Sequence, residues 1–156
     1  MGSTERDIVT RVKAVLAGIN GSSGGYNYDF SATDRVQIGQ EQEPIRVPAV
    51  YLHPLTVSTS QTAGKTPLRS YGREFNMQLD VFVPATGAEP GNAILAALDA
   101  QSDVMKALEN DRGLGSVGVH DLEIESSAYN GAEMDLSGVG VATLGLKIIY
   151  AERAGN

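Results

Sequence analysis

The sequence predicts a single α+β domain in which two helices share one face of a mostly antiparallel sheet. Three observations carry that prediction. Apolar residues recur with a helical period near the N-terminus. They alternate strictly with polar ones along residues 73–83, and a long apolar strand closes the chain at 138–152. A second helical stretch, about 90–110, lies between those strands, which gives the order α-β-β-β-α-β-β. A chain of 156 residues fits one domain and buries about two-thirds of its unfolded surface, and no internal repeat or second core is visible.

Taken in order, residues 4–19 set Ile8, Val12, Val15, Leu16 and Ile19 on one helical face. Ser3 or Thr4 suits its start, and Gly18 with Asn20-Gly21 its end. Gly21 to Gly25 is expected to be loop, because nothing in it can pack and glycine resists ordering. A short strand is expected at Arg35–Gly39 and another at Val47–His53, with Pro48 favouring a strand start or an edge. Thr56–Ser70 is rich in Thr, Ser, Gly and Pro and has neither period, so it reads as a long flexible loop, either functional or disordered.

Arg73–Val83 is the clearest strand, with Phe75, Met77, Leu79, Val81 and Val83 on one side and Glu74, Asn76, Gln78 and Asp80 on the other. Pro90 suits the first turn of the second helix, whose core stripe is expected to be Ile94, Ala97, Leu98, Val104, Met105 and Leu108. Asn110 to Gly113 ends it. Two strands follow, Val117–Ser127 and Gly138–Glu152. The first is expected to turn Leu122, Ile124, Ser126 and Ala128 away from Asp121, Glu123 and Glu125. The second is apolar on both faces over much of its length, which places it centrally in the sheet or under a neighbouring subunit.

Composition narrows the function. With no cysteine there is no disulfide, thiolate nucleophile or cysteine metal site. The N-terminal Met1 to Asp7 lacks the apolar core of a signal peptide, and no apolar run approaches the ~20 residues that span a bilayer, so a soluble protein without membrane contact is expected. A net charge of −7 argues against gripping nucleic acid. The charge is also lopsided. Residues 1–73 hold eight Lys/Arg against six Asp/Glu, and residues 74–156 hold four against thirteen. From Pro44 to Arg73 there is no acid, only Arg46, Lys65, Arg69 and Arg73. Such polarity steers opposed surfaces of neighbouring subunits together, or is simply solvated charge.

Motifs for catalysis are thin. Ala63-Gly64-Lys65-Thr66 echoes the end of a phosphate-binding loop, but Thr59 stands where the leading glycine belongs and Pro67 interrupts the helix that should follow. His53 and His120 have no metal-ligand spacing, and Asp121, Glu123 and Glu125 read as a solvated strand face before they read as ligands. No Gly-x-Ser-x-Gly elbow is present. No enzyme activity and no cofactor are expected. Tyr26, Tyr28 and Phe30 cluster after the glycine-rich segment, either folding back over the core or serving as a docking anchor.

Together the pieces resemble a bacteriophage tail terminator, or tail completion, protein. They are the helix ending Val15-Leu16-Ala17-Gly18-Ile19, then Val47-Pro48-Ala49-Val50-Tyr51, the Arg73–Val83 strand and the Leu95–Asp111 rhythm. Leu114-Gly115-Ser116-Val117 and the closing Leu144 to Tyr150 complete the set. The resemblance implies a virion protein, assembled in the host cytoplasm, that forms a ring, typically a hexamer. That ring caps the head-proximal end of the tail tube, stops its growth and gives the neck or head-completion protein a docking surface. Its partners would be itself, the tail tube protein and the neck, with DNA passing through the lumen without specific binding. Candidate interface residues are Arg46, Lys65, Arg69, Arg73, Tyr26, Tyr28, Asp121, Glu123 and Glu125. The alternatives are a neck adaptor or other minor tail protein, or a small ligand-binding bacterial domain with a pocket of convergent polar groups.

Overall fold

The computed structural model describes residues 4–39, 47–60, 70–85, 91–112, 114, 119–130 and 139–153. Helix α1 (Thr4–Ala17) leads through a 3-10 turn at Gly21–Gly24 to β1 (Val36–Ile38), β2 (Ala49–Ser60) and β3 (Ser70–Pro84). Helix α2 (Asn92–Glu109), β4 (Val119–Asn130) and β5 (Val139–Arg153) follow. The strands form one sheet in the order β1-β2-β3-β5-β4. All neighbours are antiparallel except β1 and β2, which run parallel. The α+β class is as the sequence predicts.

Helix α1 forms because its apolar residues fall on one stripe, and Glu5 and Asp7 sit where the helix N-terminus favours negative charge. Ile8, Val12, Leu16 and the following Ile19 are fully buried. The helix stops at Gly18, whose amide still donates to the carbonyls of Ala14 and Val15. Strand β3 is the centre of the sheet and turns Phe75, Met77, Leu79, Val81 and Val83 into the same core as both helices. From β5, flanked on both sides, Ala142, Leu144, Leu146, Ile148 and Tyr150 reach that core. Both helices therefore cover one face.

Helix α2 lies unusually close to the sheet, and its side chains explain why. The buried stripe is Ala93, Ala96, Ala97, Ala100, Val104, Ala107 and Leu108, most of it alanine. Gly140 on β5 sits directly beneath, where an added Cβ would stand 2.5 Å from the Ala93 carbonyl oxygen and 2.9 Å from the Ala97 nitrogen. Small residues on the helix and none on the strand permit that approach. The stripe differs from the one expected. Ile94 and Met105 are only half-buried, and Leu98 faces solvent with Leu95.

Three other expectations are corrected. Gly21–Gly24 is a 3-10 turn, closed where the Gly25 amide donates to Ser22 O, with Gly25 at a φ of 80° that glycine adopts without strain. Thr56 to Ser60 are strand, since β3 offers them partners from Asn76 back to Gly72, and Ser70 opens β3 itself, paired with Arg153 of β5; residues 61–69 of the expected loop lie outside the described residues. On β4 a bulge between Ile124 and Ser126 shifts the register, so that Ser127 rather than Ser126 pairs with Leu144.

The β2 edge is irregular. Strand β1 spans only three residues and pairs with β2 at Val50 to Leu52. Further along, Pro54 falls in step with Val50 and Leu52, whose backbone groups bond toward β1, and a second bulge follows between Pro54 and Thr56. Leu55 and Val57 are exposed there.

Candidate assembly surface

The face of the sheet opposite the helices is ordered in rows. Ala49, Phe82 and Val141 lie side by side across β2, β3 and β5, with Tyr51 against Phe82 edge-on at 5.8 Å. These four are buried and form a small second cluster with Val47 and Val139. The next row is polar. Asp80 accepts the Thr143 hydroxyl at 3.1 Å and the Gln78 amide at 3.1 Å, and its other oxygen stands 3.0 Å from His53 Nε2. The last rows are charged. Lys147 lies 3.5 Å from Glu74 and 3.9 Å from Glu125, between β3 and β4. The face thus grades from apolar to ionic along the strands.

The sites named from the sequence fall in different places. Asp121, Glu123 and Glu125 lie at the charged end on β4. Asp121 is 3.3 Å from Arg112, Glu125 approaches Lys147, and Glu123 is exposed. Arg73 is elsewhere. It shares the odd-numbered, helix-side register of β3, and its Nη1 is 3.6 Å from Glu5 Oε1 of α1. That same carboxylate oxygen accepts the hydroxyl of fully buried Tyr150 at 2.7 Å, so Arg73 helps tie the helix to the sheet. Arg46, Lys65 and Arg69 lie outside the described residues, as does the Ala63–Thr66 echo of a phosphate loop.

Tyr26 and Tyr28 are half-buried against the main core, and Phe30 beside them is fully buried. What fixes their segment is a residue that sequence reading missed. Asp103 on α2 is only 3% exposed, and its carboxylate accepts the backbone amides of Asn27 and Tyr28 at 2.8–3.0 Å, together with the Asn27 side-chain amide at 3.1 Å. A buried carboxylate is tolerated when several donors replace its lost water, as here. One turn on, Lys106 donates to Gly25 O at 2.9 Å and lies 4.9 Å over the Tyr26 ring. Burial, with Asp99 and Asp103 adding negative potential, pushes the Tyr28 phenol above its ordinary pKa. At the exposed Asp29, the Ser31 hydroxyl and amide hold the carboxyl below its ordinary range.

Thr143 donates to Asp80 and not to His53, so these three do not form the chain of nucleophile, base and orienting acid that acyl transfer uses. Among the described residues no three His, Asp or Glu side chains gather as a metal site, and no helix is long and apolar enough to cross a membrane. No protein-family model matches the chain, and a search of the curated proteins returns no significant match.

Proposed function

We propose that this chain is a structural virion protein of the tail terminator kind, forming a ring at the head-proximal end of a phage tail tube. The observation that carries the reading is the difference along the sheet face opposite the helices, where Glu74, Lys147 and Glu125 leave one end ionic and partly exposed while the other end is closed over the buried Ala49, Tyr51, Phe82 and Val141. A surface whose two ends differ suits a head-to-tail contact, in which one copy's end meets a different patch on the next, and such contacts close into rings. The sequence resemblance supplies the place of that ring. It stops tube growth, receives the neck protein, and lets DNA through a lumen that an acidic chain does not make adhesive.

Electron microscopy of tails assembled with and without the chain tests this directly. Tails lacking it should be overlong or fail to join heads, and labelled chain should sit at the tube end. Label at the portal instead would replace the reading with a neck adaptor. Lys65→Glu combined with Arg69→Glu should impair capping; normal tail length in that variant removes the 61–69 segment from the contact.

A further inference from the structure

We propose that the outward face of α2 is a second, separate contact surface, which pairs with α2 of another copy of this chain in antiparallel fashion about a two-fold axis at Ser102. The helix buries its alanine stripe, so the ridge opposite is Leu95, Leu98, Ser102 and Glu109, with Met105, half-buried against the core, completing a spacing of three and four residues as in the seam of paired helices. Leu95 is 60% exposed and Leu98 41% exposed, two large apolar groups in a row on solvent. Isolated exposed leucines are common, but a ridge at pairing period is a docking feature.

The occupant follows from the ridge's own symmetry. Reversed on itself about Ser102, the helix sets Leu98 against Met105 of the second copy, and the small serines meet at the crossing point. Asp99 and Lys106 are both exposed, seven residues apart on one flank of the ridge. In the antiparallel pair each Asp99 faces the other copy's Lys106, so two opposite-charge contacts form at once. A parallel pair would bring Asp99 and Lys106 against Ile94 and Gln101 and satisfy neither charge. Lys106 gives one contact to Gly25 O and keeps further donors, since an ammonium has three. Because the surface is complementary to itself, the contact ends after two copies. It is independent of the head-to-tail contact proposed for the ring.

The chain has no cysteine, so a single introduced thiol reports the geometry. Ser102→Cys should oxidise rapidly to a disulfide-linked dimer, whereas Glu109→Cys, which would face Leu95 of the other copy, should not. Sedimentation of the full chain at up to about 1 mM, where weak pairing still registers, should show a monomer–dimer equilibrium. Leu98→Asp should weaken it by at least about tenfold, the scale of a central contact residue, and should slow the Ser102→Cys cross-link to match. Circular dichroism checks that each variant is folded. Equal cross-linking at 102 and 109, or a dimer untouched by Leu98→Asp, overturns the proposal, whatever the fate of the ring.

Discussion

The two faces of the sheet are held by different physics. On the helix side, contact is close, dry and shape-dependent. Alanines of α2 rest on Gly140, and Tyr150, Phe30, Ile8 and Leu16 are buried whole. On the open side most groups are polar, partly wet, and joined by pairs such as Lys147 with Glu74 and Glu125. Partly exposed ion pairs contribute at most about 1 kcal/mol, while an emptied or overfilled core site costs several. The first face therefore determines whether the chain folds, and the second tolerates change at little cost in stability.

That contrast can be broken most sharply at Gly140. Gly140→Val should push α2 off the sheet and cost about 3 kcal/mol or more, read as a lowered denaturation midpoint. Unchanged stability would mean that the tight approach of helix and strand carries no weight. Next in size, Asp103→Ala leaves the Asn27 and Tyr28 amides without their acceptor and should cost about 2 kcal/mol. Hydrogen exchange at those two amides should accelerate more than elsewhere. On the open face, Lys147→Met should shift stability by less than about 1 kcal/mol, and any shift should fade at high salt. A loss as large as that at Gly140 would erase the distinction between the faces.

The smallest effect is a pH dependence. The Tyr28 phenol has its pKa raised on folding, chiefly by burial and then by Asp99 and Asp103. Its stabilising contribution is therefore complete below the unfolded phenol value near 10, and is lost as pH rises through the higher folded value. Tyr28→Phe should flatten that alkaline loss in denaturation midpoints measured across the range. An identical alkaline profile in the variant would place the titration elsewhere.

Local periodicity made much of this fold legible. The alternation of Phe75 to Val83 needs no partner to be read, and its strand is the sheet's centre. The pairing of Thr56 to Ser60 is not local. These residues have no apolar rhythm and become strand because β3 extends back alongside them. The direction of β1, too, is set by distant contacts. On α2, hydrophobicity favours Leu98 and Met105 for the buried stripe, while the sheet selects the residues small enough to sit on Gly140. Asp103 is hidden from hydrophobicity for the same reason, although its position between Ala100 and Ala107 on the alanine side marks it. Of the candidate surface, the acids of β4 were readable as one face, but the rows that join them to Lys147, Asp80 and Phe82 depend on strand order.

Pro54 has a consequence for how such a chain can associate. It lies on the margin of β2 past the short β1, where no other described strand pairs and a bare edge would invite one. A proline has no N–H to offer there, and the neighbouring bulge bends the margin out of line. At this margin, edge-to-edge pairing of strands into fibres is thus disfavoured.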